Sequence, residues 1–346
     1  MKTPETLLLG IETSCDETGA ALLGERRGLL SNVVASSEAF HARYGGIVPE
    51  IASRKQVELM GPVISQAMEQ AGVAFSDLDG VAVTAGPGLV GSLLVGMCAA
   101  KAIAFAHGAA LLGVNHLEAH IFANWIESRA LAGGEAVEPR PPCLVLIVSG
   151  GHSDLVLIEG RLRYRMLGRT RDDAAGEAFD KGARLLGLPY PGGPALDALA
   201  REGDAGAVAF PRAQLPGSWD FSFSGVKTAL ARYLERGEAA ARADIAAAYQ
   251  EAIVEMLVEK TLAAAAEFDA AQVLLAGGVA CNSRLRAMFA GRGREAGVTV
   301  AAPPPHLCTD NAAMIACAGM ARFRAGERSP MHVDVAASLP LPGARA

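Results

Sequence analysis

Two histidines and an aspartate set the chemical question. In NHLEAH (115–120), His116 and His120 stand four positions apart. At about 100° per residue they share one face of a helix, as two ligands of a single metal must. Glu118 lies two positions after the first histidine, about 200° round, and points away. A zinc peptidase of the HExxH type instead places its glutamate directly after the first histidine, where it activates the metal-bound water. The peptidase reading therefore lacks its general base, while a shared metal and a structural pair both remain open. A metal needs at least one more ligand, and PPPHLCTDNAAMIACAGM (303–320) offers His306, Cys308 and Asp310 where a helix begins. On bare sequence Asp310 fits a helix N-cap more readily than a ligand, the commoner role for Asp at such a start. Three protein ligands would leave coordination positions open for substrate, as in catalytic sites.

The elements that must carry these residues repeat in design. LLLGIETSCDETGAALL (7–23) is an apolar strand, a polar turn and a second apolar strand, and CLVLIVSGGHSDLVLI (143–158) has the same plan. Two such hairpins, each opening a half of the chain, predict two related α/β lobes. The expected division is 1–130 and 143–325, with a linker at 131–142 inside the aperiodic SRALAGGEAVEPRPP and a tail at 326–346. A third turn, in AQVLLAGGVACNSRLRAMF (271–289), runs from strand through Gly277 and Gly278 into a helix. Turns of this kind present bare amides to an anion, though an isolated glycine pair is as readily a tight turn. In 171–194, Asp173, Glu177 and Asp180 recur at helical spacing, as a solvated face or as a ribose-binding acid. Arg161, Arg163 and Arg165 alternate as on an exposed strand face, able to meet phosphates or only water.

At 346 residues the chain can bury large cores, and a net charge of −6 with a pI near 5.7 gives no bulk sign of a nucleic-acid partner. Six scattered cysteines without a CxxC pair suit reduced thiols in a cytosol. The apolar run Leu7 to Ile11 ends at Glu12, too early for a secretion signal. VAVTAGPGLVGSLLVGMCAA (81–100) has the length of a membrane span, but Gly86, Pro87 and Gly88 break it. It reads as a buried strand, a glycine turn and a core helix packed through Gly91 and Gly96. Alanine-rich helices are expected from about Pro62 to Ala71 and from about Arg242 to Glu267.

Taken together, GIETSCDETGAA, YGGIVPEIASR, TAGPGLVGSLLVG, NHLEAH, VSGGH, DDAAGEAFDK, YPGGP, DFSFSGVKT, AGGVACNSRLR and CTDNAAMIA resemble the bacterial tRNA N6-adenosine threonylcarbamoyltransferase family, from Gly10 to about Gly319. The resemblance implies a fold of the actin and sugar-kinase superfamily, with two ribonuclease H-like lobes and a nucleotide cleft between them. It implies transfer of threonylcarbamoyl from threonylcarbamoyl-AMP to N6 of adenosine 37 in tRNAs reading ANN codons, with release of AMP. It implies one iron(II) ion per chain, with zinc as the alternative, on His116, His120 and Asp310. Adenylate contacts carried over by motif are Ile147, Val148, Ser149, Gly150, Gly151, Asp180, Gly193, Asp197 and Asn282, and Asp16 matches an acid that activity requires. Archaeal relatives use a tyrosine before VSGG as a further metal ligand; Ile147 stands there and cannot serve, so substrate or water would complete the shell. The implied partners are tRNA, an inactive scaffold paralogue of the same fold and a small P-loop ATPase, in the cytoplasm and without a membrane.

Three rivals remain beside this reading. A metallopeptidase would have to dispense with the usual glutamate. A sugar or acid kinase of the same superfamily would not require the HxxxH and CTDN set. A non-catalytic scaffold would lack the histidine pair.

Overall fold

The computed structural model describes residues 5–37, 40, 41, 44, 46–237 and 240–343. The chain divides into two compact units, Met1–Glu127 with Thr309–Ala344, and Ser128–Cys308 with Arg345–Ala346.

In the first unit, β1 (Leu7–Glu12), β2 (Glu17–Gly24) and β3 (Gly28–Ser36) form an antiparallel meander, and β4 (Gly80–Gly86) and β5 (Ala110–Asn115) add to β1 in parallel. The order is β3-β2-β1-β4-β5. All six residues of β1, LLLGIE, are buried, as befits a central strand covered on both faces. One cover comprises the helices Pro49–Ala71 and Val90–His107. The first begins earlier than expected, because Pro49 at its opening position suits a helix start and Pro62 is carried inside it. The second is the part of 81–100 that passes for a membrane span: by length and composition it could cross a bilayer, with a mean hydropathy of 1.6. It packs on β4 and on the Pro49–Ala71 helix, with Leu93, Met97, Ala100 and Ala104 buried. Gly91 and Gly96 do provide the close approaches, to Ser53 and Thr13.

The other cover of this sheet is the helix Ala312–Arg324, which lies on β1. Small residues make that possible. A Cβ at Gly10 would stand 2.4 Å from the carbonyl oxygen of Ala312 and 2.7 Å from the amide nitrogen of Ala316. Gly10→Ala is therefore expected to lift this helix and cost about 3 kcal/mol, the upper range for overpacking, read as a lowered Tm in calorimetry. Residues 309–325 thus pack with the first unit and not with the second lobe to which the sequence reading gave them. The segment read as a tail follows the same surface. Ser329 and Ala336 donate backbone hydrogen bonds to Leu111 and Ala85, and Leu341 is buried.

The second unit repeats the plan. β7 (Cys143–Val148), β8 (Ser153–Gly160) and β9 (Arg163–Gly168) are an antiparallel meander, and β10 (Gln272–Ala276) and β11 (Thr299–Ala302) extend from β7 in parallel. With β6 (Arg129–Ala130) antiparallel to β11, the order is β6-β11-β10-β7-β8-β9. The residues read as a linker are held down at this edge. Leu131 donates to Val300, Val137 donates to Ser128, and Gln272 contacts both Glu138 and Arg140. Unpaired backbone at a sheet edge is satisfied by such docking. The helix Arg242–Glu267 spans the expected residues and is the main cover of the core, around Tyr249, Ile253 and Leu257.

Candidate metal centre

β5 delivers the chain to Asn115, whose side chain turns it into a helix. The Asn115 Oδ1 accepts from the amides of Leu117 at 2.9 Å and Glu118 at 3.2 Å, capping the helix His116–Ile126. Its Nδ2 donates to the carbonyls of Leu339 and Pro340, each at 3.0 Å. His116 and His120 then project from successive turns, their rings 4.6 Å apart and inclined at 78°.

Asp310 arrives from the other helix start. The cap there is Asn311, whose Oδ1 accepts from the Met314 amide at 3.1 Å, so the N-cap reading of Asp310 is corrected by one residue. The Asp310 Oδ1 lies 3.1 Å from Nε2 of His120 and 3.6 Å from Nε2 of His116. One donor atom from each of the three residues lies within 4.8 Å of the others. His306 is exposed and Cys308 faces the Pro303 carbonyl at 3.3 Å, so neither joins them.

This donor set fits a cation. Among the described residues, neither buried ring nitrogen of His120 has a hydrogen-bond partner, and the 3.1 Å approach to Asp310 lacks hydrogen-bond geometry. Leaving a buried polar group unpaired costs about 1–3 kcal/mol, a cost an ion on Nε2 would remove. His116 has an outer partner: its Nδ1 is 3.3 Å from the Glu12 Oε2. Glu12 is itself fixed, accepting from the Ser14 amide at 2.5 Å and the Thr84 hydroxyl at 2.6 Å. A carboxylate on Nδ1 orients the imidazole and leaves Nε2 to the metal.

The same charges govern protonation. Burial disfavours the His116 imidazolium, but Asp310 and Glu12 outweigh it and raise the group to about 9 from an ordinary 6.5. A metal must displace that proton, so affinity is expected to fall about tenfold per pH unit below about pH 9. The sign reverses for the metal-free fold. Its gain from a raised pKa is complete below about 6.5 and fades as pH rises through about 9. Metal titrations and thermal melts across pH 6–10 check both trends.

Glu118 is no water-activating base. It is fully buried and paired with Arg322 at 2.7 Å, joining the histidine helix to the helix that follows Asp310. Asp16, in the turn between β1 and β2, is buried, and its carbonyl accepts from the amide and hydroxyl of Ser37. Beside it, burial and the charges of Asp310 and Asp16 raise Glu17 well above the usual carboxylate range.

The adenylate candidates lie in the second unit. Ile147 and Val148 end β7, and the turn Ser149–Gly151 follows, closed by the Ser149 amide on the His152 carbonyl at 2.9 Å. Gly150 and Gly151 face open space and do not require positive φ. Gly277 does, at φ 87°, and a Cβ on it would stand 2.3 Å from the Val148 carbonyl oxygen. The turns after β7 and β10 are thus neighbours at the carboxyl ends of parallel strands, where open α/β sheets bind ligands. Asp180 accepts from the Gly193 amide at 3.0 Å. Asp197 accepts from the Ser283 hydroxyl at 2.7 Å, next to Asn282. Asn282 caps the helix Ser283–Glu295 through Oδ1 and donates through Nδ2 to Gln250 at 2.7 Å. The acidic stripe divides in function: Asp173 and Glu177 are taken up by Lys181, and Asp173 also by Lys227. Of the arginine series, Arg163 and Arg165 lie on the exposed face of β9, and Arg165 stacks on Phe268 and pairs with Glu159.

Residues 28–317 match the family TsaD, tRNA N6-adenosine threonylcarbamoyltransferase. The chain belongs to the tRNA N6-adenosine threonylcarbamoyltransferase family. A threonylcarbamoyltransferase of Moorella thermoacetica is 51% identical over 342 residues, covering 97% of this chain and 98% of its own. One from Geobacillus thermodenitrificans is 52% identical over 343 residues, covering 97% of each. Among solved structures, full-length HypF in a phosphate- and nucleotide-bound form aligns with 95% of this chain and 57% of its own at 12% identity and a TM-score of 0.61. The (R)-2-hydroxyglutaryl-CoA dehydratase component A of Acidaminococcus fermentans aligns with 93% of this chain and 100% of its own at 17% identity and a TM-score of 0.53. These two likenesses concern the fold alone: two α/β lobes of the actin and sugar-kinase type, each with a ribonuclease H-like sheet.

Three contributors to this candidate centre are not legible as such in the sequence: Glu12, Glu118 as a buried ion-pair partner, and Arg322. Only Glu12 left a signal, as a lone acid closing an otherwise apolar strand.

Proposed function

We propose that this chain transfers the threonylcarbamoyl group of threonylcarbamoyl-AMP to N6 of adenosine 37 in tRNAs reading ANN codons, releasing AMP, at a metal centre of His116, His120 and Asp310. The observation that carries the reading is the approach of those three donors to within 4.8 Å of one another. Two imidazoles and one carboxylate suit iron(II), with zinc as the alternative. A bound ion would supply Lewis-acid polarisation and a template for the oxygens of the acyl group.

The acyl group is already activated as a mixed anhydride with phosphate, so the protein needs to orient the reactants more than to supply a nucleophile. N6 of adenine attacks the carbamoyl carbon, the bond from that carbon to the phosphate oxygen breaks, and AMP departs with the electron pair. Asp16 orients the acceptor or takes the proton that N6 loses. Ile147 to Gly151 and Asn282 hold the phosphate end through amides and a helix start, and Asp180, Gly193 and Asp197 hold the nucleoside. Asp197 is buried and held by the Ser283 hydroxyl on Oδ1 and by Arg201 on Oδ2, so a nucleoside hydroxyl would use the remaining lone pairs of that carboxylate.

The reading makes tRNA and threonylcarbamoyl-AMP the substrates, and a scaffold paralogue of the same fold and a small P-loop ATPase the cytoplasmic partners. The Val90–His107 helix, with Val90, Leu94 and Phe105 exposed, offers an apolar face for such assembly. The test is incorporation of labelled threonine into unmodified tRNA by the reconstituted set. Wild type should label tRNA and His116→Ala should not. Unlabelled tRNA with fully supplied wild type, or undiminished labelling by His116→Ala, would sink the reading.

A further inference from the structure

Two thiols of the second unit have no part in the chemistry above. Cys281 ends the 3-10 turn Gly278–Cys281 after β10, and Cys308 ends the short helix Pro305–Cys308 after β11. β10 and β11 are parallel neighbours, so the segments leaving their carboxyl ends emerge side by side. There the two thiols lie beside each other. Each also faces a carbonyl oxygen, Cys308 that of Pro303 at 3.3 Å and Cys281 that of Pro305 at 3.7 Å. The Arg286 guanidinium lies alongside, 3.5 Å from the Cys308 sulfur. It is held by the carbonyls of Ala280 at 2.6 Å and Pro303 at 3.0 Å. Cys281 is partly exposed and Cys308 is buried behind it.

We propose that Cys281 and Cys308 form a redox-active dithiol, in which Cys281 reacts with a peroxide and Cys308 resolves the product into a disulfide. The Cys281 thiolate attacks one peroxide oxygen, the O–O bond breaks, and hydroxide takes up a proton to leave as water. The resulting sulfenic acid is attacked at sulfur by Cys308, its S–O bond breaks, and a second water leaves. Two thiols and one peroxide thus give one disulfide and two waters, and a dithiol reductant restores the pair by exchange. A partly exposed sulfur with a cation beside it and a second thiol in contact is the arrangement such sensors need. A hydrogen bond from Cys308 and the Arg286 charge, against the opposing effect of burial, favour the thiolate of Cys281 and lower that thiol below its ordinary range, while the same pairing and burial hold Cys308 well above it. The other thiols differ: burial pushes Cys143 up to about 12, burial and nearby acids raise Cys15 further, and Cys98 is simply exposed.

Closing the bridge draws the sulfurs to about 2.05 Å. Asn282 directly follows Cys281, and Asp310 stands two residues beyond Cys308. Oxidation therefore moves the backbone next to both, and by the function proposed above it switches transfer off reversibly.

The experiment treats the whole protein with a small molar excess of hydrogen peroxide near neutral pH, then alkylates it and maps cysteine peptides by mass spectrometry. The expected result is a Cys281–Cys308 disulfide peptide, lost on addition of dithiothreitol, at doses that leave Cys98 open to alkylation. In Cys308→Ser, a dimedone adduct on Cys281 is expected instead. Cys98 oxidised while Cys281 and Cys308 both stay alkylatable would overturn the proposal, as would Cys281 sulfinic acid with Cys308 still free. The wild-type map needs no variant, so a misfolded Cys308→Ser leaves the test intact. In the transfer assay, oxidised protein should lose at least tenfold of its activity and regain it with reductant, while Cys281→Ala should not respond to peroxide. A disulfide that leaves transfer unchanged would overturn the switching role. Activity of the reduced protein, run alongside, separates this from failure of the transferase reading itself.

Discussion

Replacing His120 by leucine should abolish metal binding without lowering the thermal stability of the metal-free protein. The two halves of that expectation have different causes. A centre with three protein donors loses one, and the cost should exceed the roughly 10–100-fold that loss of an outer-shell partner brings. Affinity for iron(II) or zinc is therefore expected to fall more than a hundredfold, and threonylcarbamoyl transfer with it. Stability responds otherwise because both His120 nitrogens are buried without hydrogen bonds. Their desolvation is an uncompensated cost in the metal-free fold, and leucine fills a similar volume without it. Melts with and without added metal check the prediction: metal should raise the Tm of wild type and leave His120→Leu where it was. A structural role for the histidine pair predicts the opposite, a variant destabilised even without metal. Glu12→Gln is the graded companion, keeping all three donors but weakening the carboxylate on His116 Nδ1, with an expected 10–100-fold loss of affinity.

The parts of this centre that were legible in the sequence are those fixed by local geometry. Four-residue spacing on a helix places His116 and His120 on one face whatever surrounds them, and the spacing of Glu118 turns it away. The duplicated hairpins were legible for the same reason, since apolar runs broken by polar turns specify strands locally, and both units carry the same meander joined to parallel strands. Local pattern stopped short where tertiary packing decides. Asp310 and Asn311 are adjacent and both suit an N-cap, and only the approach of the helix to β1 selects Asn311 for that work. That approach depends on the missing side chain at Gly10, which pattern alone reads as one more strand residue. The return of 309–344 to the first unit follows from the same contact. Likewise the 131–142 segment has linker composition, yet backbone left open at the edge of β11 recruits the residues just before and within it. The adenylate residues were readable as glycine turns after strands, but the Val148 contact that makes Gly277 necessary appears only when β7 and β10 pair.

Arg322→Ala is expected to be the most destabilising single change near the centre, because of what it leaves behind. Glu118 is fully buried, and Arg322 meets it with Nε and Nη2, both at 2.7 Å from Oε2. Removing the guanidinium takes the opposite charge from a buried carboxylate, a loss of about 3–5 kcal/mol for buried pairs. Against a typical total stability of about 5–15 kcal/mol, that is a large share. Surface pairs are worth about 0–1 kcal/mol, so the two cases are well separated by experiment. The pair joins the helix carrying His116 and His120 to the helix that Asp310 precedes, so the variant should bind metal weakly as well. A second substitution decides whether the stranded charge is the cause. If it is, Glu118→Leu together with Arg322→Leu should recover most of the loss, since burying two apolar side chains in place of an ion pair is often neutral or better. Urea denaturation of the metal-free single and double variants measures this. A single variant losing less than about 1 kcal/mol, or a double variant no better than the single, would show that the Glu118–Arg322 pair does not tie the two helices together.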